Sequence, residues 1–303
     1  MPAHAQPLVS IGIPTYSRPE GLRRTLECIT AQTYRNLEII VSDNSSPGLE
    51  TQRVVESFMS NDRRVSYHRQ NINRGAFSNF KFVLKASTGQ YFMWAADDDE
   101  WRLEFVETCL ENMGMAGSVM TGINVKNRIS NQSISVALPS LARQNSVFTN
   151  TLAFLDNIQP SLFYGLHLRN SILFCLTDEP FDFYDCYFII HQILYQGFHL
   201  VSSPLYTAGI DSMDYIKKPA NPMKGRLFEY DRFYLKTAFA ITNCPQLCAE
   251  EKARLLKILA TRTDDMLIAH EKGVSSMVPL SIRWLIWWAK RSTYKWVVDK
   301  SLG

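Results

Sequence analysis

The chain lacks a long apolar segment, paired cysteines and a strong excess of either charge. Residues 1–7 have neither the basic region nor the apolar core of a secretory signal, and no uncharged apolar run is long enough to cross a bilayer. We therefore expect a cytoplasmic protein. The six cysteines include no Cys-x-x-Cys pair, which argues against a disulfide framework or a zinc site. A net charge of +3 over 303 residues gives no indication of a nucleic-acid partner.

The rest of the composition is that of a folded protein, with 46% hydrophobic and 20% charged residues. Branched apolar runs at residues 8–14, 37–41 and 65–67 predict strands, and an amphipathic helical pattern follows each of them. This alternation predicts right-handed βαβ units and an α/β fold with a mostly parallel sheet. Ser17 and Glu20 have the spacing of a capping box at the start of the first helix.

The most informative stretch is an apolar run that ends in three adjacent acids. Residues 91–96 are apolar and are followed directly by Asp97, Asp98 and Asp99. The run predicts a buried strand, and acids at the carboxyl end of such a strand lie where open α/β sheets bind ligands. Adjacent carboxylates repel one another, so the triplet favours a bound hard cation such as Mg²⁺ or Mn²⁺. Acid triplets also occur in solvated turns, so this motif alone leaves both interpretations open.

Polar loops follow three of the predicted strands, at residues 14–18, 43–46 and 97–99. Parallel strands deliver their carboxyl ends to one edge of a sheet, so residues far apart in sequence converge there. Asp43 would accept hydrogen bonds from a nucleobase at such an edge, although an isolated Asp-Asn pair is more often a turn. The convergence of the three loops favours a binding site more strongly than any one of them.

These motifs, with Asn73-Arg74-Gly75 between them, occur in order from Leu8 to Met113 and resemble the family 2 glycosyltransferases. The resemblance implies the GT-A fold, a Rossmann-like and mostly parallel sheet flanked by helices, with a mainly helical C-terminal part. It implies inverting transfer of a sugar from a nucleotide-diphosphate sugar, with a UDP-sugar favoured, and a divalent metal cofactor, Mn²⁺ or Mg²⁺. The implied acceptor is a hydroxyl of a glycan or lipid-linked saccharide, in cell-surface polysaccharide synthesis of the cell envelope.

The resemblance also assigns donor-binding residues by position. Asp43 would contact the base, and Asp98 would border the ribose or the sugar. The remaining donor-binding residues would be Pro14, Thr15, Tyr16, Arg18, Asn73, Arg74, Gly75 and Asp97.

The metal ligands implied by the resemblance are Asp97 and Asp99. The family's acidic motif is usually Asp-x-Asp, and its more usual form has an aspartate where this chain has Ala96. The metal contact therefore falls on Asp97, Asp98 or Asp99, and we favour Asp99 together with Asp97.

Asp185 is the predicted catalytic base. An acceptor hydroxyl must lose a proton as it attacks, and in this family the base comes from an acidic motif at the start of a helix in the second half. A predicted helix from Asp185 to Gly197 offers the best match, with Asp182 and Glu179 nearby. The family's usual Glu-Asp pair reads Tyr184-Asp185 here. A helix N-cap is the structural alternative for this aspartate.

Residues 282–296 interleave tryptophan with basic side chains. Such a helix would lie in the headgroup layer of an anionic membrane, which places the protein peripherally on the cytoplasmic membrane face. Docking on the protein itself or on another subunit is the alternative.

We divide the chain into a donor-binding core at residues 1–125, an acceptor-binding part with the base at 126–225, and a helical C-terminal region at 226–303. A nucleotidyltransferase would carry a glycine-rich phosphate loop early in the chain, and none occurs near Gly12. The alternative from another class is a catalytically silent nucleotide- or glycan-binding protein of the same fold.

Overall fold

The structure is a computed structural model that describes residues 6–179, 181, 183–210 and 226–273. The strands are β1 (Val9–Thr15), β2 (Leu37–Asp43), β3 (Val65–Arg69), β4 (Tyr91–Trp94), β5 (Glu100–Trp101), β6 (Ser118–Asn127), β7 (Ser133–Ser135), β8 (Leu166–Leu168) and β9 (Phe198–Ile210). The α-helices are α1 (Pro19–Thr30), α2 (Glu50–Met59), α3 (Ala76–Ala86), α4 (Phe105–Glu111), α5 (Val147–Asp156), α6 (Arg169–Ile172), α7 (Tyr184–Tyr195), α8 (Arg226–Asn243) and α9 (Ala249–Gly273).

The chain forms two compact units. The first contains the described parts of residues 1–138, 161–180 and 196–220, and the second contains those of 139–160, 181–195 and 221–303. All the strands listed above belong to the first unit, whereas α5, α7, α8 and α9 belong to the second.

The first unit is built on one mixed sheet with the strand order β3-β2-β1-β4-β8-β6-β9-β5, and β7 pairs with β6. Strands β1 to β4 run parallel to their neighbours in this set. The registers place Thr15 of β1 opposite Asp43 of β2, and Gly12 of β1 opposite Trp94 of β4. The ends of these three strands therefore lie side by side at one edge of the sheet.

Strand β1 is the centre of this parallel set. Val9, Ile11 and Ile13 are fully buried, as expected for a strand covered by helices on both faces. A Cβ atom added at Gly12 would lie 2.6 Å from Cγ2 of Val83, so the glycine permits close approach of α3 to β1. The apolar run at residues 91–94 supplies the neighbouring strand, as predicted.

The predicted α/β fold is confirmed, but one local prediction is wrong. Ser17 does not cap α1: it has a positive φ of 56°, and the helix begins at Pro19 after Arg18 in the N-cap position. The backbone N–H of Ser17 instead donates to Oγ of Ser46, so a tertiary contact replaces the local cap. Strand β6 extends to Asn127 and pairs with β7.

The second unit is helical in its described residues. Helix α7 buries most of its side chains, including Phe188, Ile190 and Ile193, and packs against α5 and α8. The helix predicted at residues 185–197 is thus confirmed with slightly shorter bounds. The helical pattern predicted from Arg226 onward is confirmed through residue 273, and the segment 282–296 lies outside the described residues. Within the described part of the chain, the structure contains no helix that is both long and apolar enough to cross a bilayer.

Removing the Phe92 side chain tests whether β4 anchors the core. Phe92 is fully buried, so Phe92→Ala is expected to lower the free energy of unfolding by ~3–5 kcal/mol through lost burial and a cavity. Urea denaturation measures this change. Phe239→Ala is the matched control because Phe239 is 73% exposed, and it should change stability by no more than ~0.5 kcal/mol. Equal effects of the two substitutions would contradict the assigned core.

Candidate active site

The carboxyl ends of β1, β2 and β4 bring the predicted loops together. The hydroxyl of Thr15 donates to Oδ2 of Asp97 at 2.6 Å, which joins the end of β1 to the acidic loop after β4. The Ser17–Ser46 hydrogen bond of 2.7 Å joins the loops after β1 and β2. The structure therefore assembles in one place residues that the sequence separates widely.

Asp43 is fully buried at the end of β2, and two neutral donors hold its carboxylate. The hydroxyl of Tyr67 donates to Oδ2 at 2.8 Å, and the backbone N–H of Ser46 donates to Oδ1 at 2.8 Å. Burial and the hydrogen bond to Asp43 raise the pKa of Tyr67 well above its usual value, so its hydroxyl remains a donor. Each carboxylate oxygen can accept a second hydrogen bond, so Asp43 offers fixed acceptors to a ligand.

The Asn73-Arg74-Gly75 segment is attached to the end of β2 through Asn44. The side-chain amide of Asn44 donates to Oδ1 of Asn73 at 2.9 Å and accepts from the backbone N–H of Arg74 at 3.1 Å. Gly75 has a positive φ of 83°, and its N–H donates to Oδ1 of Asn73 at 2.8 Å. This left-handed glycine allows the chain to turn directly into α3.

A groove of about 380 Å³ opens beside this segment. Asn44 and Arg74 line it together with Lys81 and Lys85 of α3, and no carboxylate side chain is among its lining residues. This lining is suited to an anionic ligand.

Asn79 is a buried residue of this edge that the sequence analysis missed. Its Nδ2 donates to the carbonyl oxygens of Ser42 at 2.8 Å and Thr15 at 3.4 Å, and its Oδ1 accepts from the Ser42 hydroxyl at 2.6 Å. Asn79 thereby cross-links the ends of β1 and β2. The available signal was its position one helical turn before Val83 on the apolar face of α3, where a polar side chain requires partners.

The three adjacent aspartates differ in exposure and in partners. Asp97 and Asp99 are buried, whereas the Asp98 side chain is 25% exposed. The hydroxyl of Tyr206 and the backbone N–H of Gly209, both on β9, donate to the two carboxylate oxygens of Asp99. No pattern in the sequence links β9 to this loop, so Tyr206 and Gly209 could not be predicted.

Two arginines also contact the acidic loop. The guanidinium of Arg18 donates to the Asp98 carboxylate and lies 3.5 Å from Oδ1 of Asp97. Arg128, which follows β6, donates to the backbone carbonyl of Asp98 and pairs with Glu100 at 3.4 Å. Arg128 is a further residue that the sequence analysis missed.

Burial controls the protonation of the two inner carboxyls. It raises the pKa of Asp97 to about 6 and that of Asp99 to about 7, against opposing hydrogen bonds from Thr15 and Tyr206. A cation beside these groups would stabilise their ionised forms, because it offsets the unfavourable burial of charge.

The acidic loop fits a hard divalent ion in the chemistry of its donors. The described residues contain no preformed group of three or more His, Cys, Asp or Glu side chains arranged to hold a metal. Carboxylate oxygens are nevertheless the ligands that Mg²⁺ and Mn²⁺ prefer, and Asp98 presents the most accessible of them. Metal binding by Asp97 and Asp99 stays a prediction.

Pro14, Tyr16 and Arg18 lie where the sequence predicted them, at the end of β1 and in the loop after it. Pro14 is opposite Ser42 in the sheet register. Tyr16 is 46% exposed and the Arg18 side chain is 44% exposed, so both are accessible at the edge that carries the acids.

Asp185 belongs to the second unit, and its predicted alternative as an N-cap is wrong. Helix α7 begins at Tyr184, so Asp185 is the second residue of the helix, and its Oδ1 accepts from the N–H of Cys186 at 2.8 Å. Of the two nearby competitors, Glu179 is exposed and Asp182 lies outside the described residues. The role of Asp185 as the catalytic base stays a prediction.

Comparison with known proteins identifies the family. Residues 10–160 match the sequence model described as Glycosyl transferase family 2. An uncharacterized glycosyltransferase of Rickettsia bellii is 32% identical over 124 residues, which is 41% of this chain and 16% of that protein. The GalNAc(5)-diNAcBac-PP-undecaprenol beta-1,3-glucosyltransferase of Campylobacter jejuni is 34% identical over 95 residues, or 31% of this chain and 30% of that protein.

The fold is also that of a solved structure. S. aureus TarS 1-349 in complex with UDP-GlcNAc superposes with a TM-score of 0.68 over 91% of this chain and 77% of that one, at 16% identity. This likeness supports the fold alone. The alignments cover less than a third of the two sequence relatives' own lengths, so they establish the shared domain rather than a complete shared protein.

The raised pKa values of Asp97 and Asp99 predict how stability depends on pH. The folded protein binds these protons more tightly than the unfolded chain, where the aspartate pKa is about 3.8. The stability that these two carboxyls contribute is therefore fully present below about pH 4 and is lost as the pH rises to about 7, because each unit of pKa difference is worth about 1.4 kcal/mol. In the presence of a chelator, Asp99→Asn is expected to flatten the upper part of this decline, as measured by urea denaturation across the pH range.

Asp62→Asn is the control for this measurement. The hydrogen bond from Arg64 holds the pKa of Asp62 below its usual value, so this substitution should leave the decline between about pH 5 and pH 7 in place. A wild-type decline that Asp99→Asn does not alter would show that Asp99 is ionised at lower pH than its burial implies.

Proposed function

We propose that this chain, a member of glycosyl transferase family 2 through residues 10–160, is an inverting glycosyltransferase that uses a nucleotide-diphosphate sugar. The observation that carries the proposal is the convergence of Thr15, Asp43 and Asp97 at one edge of the sheet. That edge presents fixed acceptors beside a carboxylate cluster, which suits a ligand with a base at one end and a metal-bound diphosphate at the other. Under this proposal residues 1–125 bind the donor, residues 126–225 bind the acceptor, and residues 226–303 form the helical region.

The donor is a UDP-sugar in this account. Asp43 can only accept hydrogen bonds when ionised, so it suits a base that presents an N–H donor, as the ring N–H of uracil does. Tyr16 is exposed in the loop after β1 and provides a surface on which a base can stack. The groove lined by Asn44, Arg74 and two lysines adds positive charge next to the same site.

Asp97 and Asp99 would hold the divalent ion, and Asp98 would border the ribose or the sugar. When bound, the ion stabilises the negative charge that develops on the departing nucleoside diphosphate. Thr15 and Tyr206 hold the two inner carboxylates in fixed positions, so little reorganisation is needed on binding. Arg18 supplies a guanidinium suited to phosphate oxygens at the same edge.

Asp185 is the base in this proposal. The acceptor hydroxyl attacks the anomeric carbon opposite the leaving diphosphate, and the base takes its proton as the new bond forms. Support comes from the position of Asp185 in the first turn of α7, where the helix dipole favours the ionised carboxylate.

The acceptor is a glycan or a lipid-linked saccharide, and the setting is synthesis of a cell-surface polysaccharide. The C. jejuni relative is named for an undecaprenol-linked acceptor, which supports a lipid-linked class. Residues 282–296 would attach the protein to the cytoplasmic face of the membrane, where such an acceptor is reached.

Asp43→Asn tests the assignment of the base contact. The amide keeps the size of the side chain but replaces one acceptor oxygen with a donor, so the affinity for UDP should fall by about tenfold or more. Isothermal titration in the presence of Mn²⁺ measures this loss. Asp156→Asn, an equivalent change at the exposed ion pair with Arg262, is the control and should bind UDP as the wild type does. Equal UDP affinities of the Asp43 variant and the wild type would remove Asp43 from the base contact.

Asp185→Asn tests the transfer chemistry. The variant should bind UDP normally and transfer labelled sugar to a polyprenyl-diphosphate-linked acceptor about a hundredfold more slowly or worse, because a general base contributes on that order. Glu179→Gln is the control at the nearby competitor. Loss of transfer in the Glu179 variant alone would assign the base to that residue. A wild-type protein that binds UDP with metal but turns over neither donor nor acceptor would support the catalytically silent binding protein instead.

A further inference from the structure

Arg18 pairs with the acidic loop beside Asp97, one of the two predicted metal ligands. Its Nη1 donates to the Asp98 carboxylate and lies 3.5 Å from Oδ1 of Asp97. The guanidinium thus lies between the carboxylates of two adjacent acids, and it supplies one positive charge where their mutual repulsion is strongest. A divalent ion bound by Asp97 would be close to this guanidinium, and the two cations would repel each other.

The exposure of this pair makes it replaceable. The side chains of Arg18 and Asp98 are 44% and 25% exposed, and exposed ion pairs contribute little stability. Asp99, in contrast, is buried and held by Tyr206 and Gly209, which carry no charge and need not move when a cation arrives. The acidic loop therefore combines a fixed inner carboxylate with an outer one whose partner is accessible to solvent.

Under the proposed function, the donor diphosphate is a second anionic partner for Arg18. It lies in the short loop between β1 and α1, at the same edge as the acids. A guanidinium binds phosphate oxygens with paired hydrogen bonds, so a donor diphosphate at this edge provides a partner at least as good as Asp98.

We propose that Arg18 is the resident counter-ion of the acidic loop and exchanges for the divalent ion when the donor binds, moving from Asp98 to the diphosphate. This inference rests on the proposed function. The exchange makes metal binding and nucleotide binding depend on each other. Metal alone must displace Arg18 without giving it a new partner. Metal together with the diphosphate gives partners both to the acids and to Arg18. The coupling free energy between the two ligands is thus carried in part by one positioning residue.

Binding of Mn²⁺ to the full chain, with and without UDP, tests the exchange. Free Mn²⁺ is measured by electron paramagnetic resonance for the wild type, Arg18→Gln and Arg23→Gln. Arg23 is an exposed residue of α1, so its variant makes the same change in net charge outside the acidic loop. Arg18→Gln is expected to bind Mn²⁺ alone about tenfold more tightly than Arg23→Gln, and UDP should enhance its Mn²⁺ affinity about tenfold less than in the wild type.

The enhancement by UDP distinguishes exchange from simple charge removal. Removing a positive charge without an exchange would tighten Mn²⁺ binding equally with and without UDP. Arg18→Lys keeps the charge and should restore weak binding of Mn²⁺ alone, and melting temperatures confirm that each variant is folded.

Two outcomes would overturn the inference. One is a UDP enhancement in Arg18→Gln equal to that of the wild type, and the other is Mn²⁺ binding to Arg18→Gln no tighter than to Arg23→Gln. Either result with a wild type that binds Mn²⁺ and UDP together leaves the proposed function intact. A folded wild type that binds neither would overturn the proposed function as well.

Discussion

The hydrogen bond from the Thr15 hydroxyl to Asp97 is the contact on which the site depends. It joins the end of β1 to the acidic loop after β4, and Thr15 is itself opposite Asp43 in the sheet. A buried carboxylate at this point is costly unless a donor satisfies it. The parallel arrangement of the first strands supplies that donor, because it delivers the loop after β1 to the acids.

The site separates fixed carboxylates from an exchangeable one. Asp43 and Asp99 are each held by a tyrosine hydroxyl and a backbone N–H, so both remain in place without a charged partner. Asp98 differs, because its partner Arg18 is a cation exposed to solvent. Fixed acceptors provide geometry for recognition, while the exposed ion pair is where a bound cation changes the electrostatics of the loop.

The sequence predicted the parts of this structure that have a regular pattern of apolar and polar residues. Apolar runs and helical periodicity gave the strands and helices of the first unit, and the rule for parallel strands brought their loops together. Contacts between distant segments produce no such pattern in the sequence, so Tyr206 on β9 was not predicted as a partner of Asp99. Ser17 shows the opposite failure, because the tertiary contact with Ser46 overrides a correct local capping pattern. Asn79 could have been noticed as a polar residue on an apolar helix face, but its partners required the fold.

The central claim is that the edge formed by β1, β2 and β4 binds a nucleoside diphosphate together with a divalent ion. Isothermal titration of the wild-type chain with UDP, with Mn²⁺ and then with chelator, tests this most directly. The account predicts binding of UDP that depends on Mn²⁺ and is lost when chelator is added. Binding of UDP unaffected by chelator, or no binding of UDP with Mn²⁺ present, would contradict it.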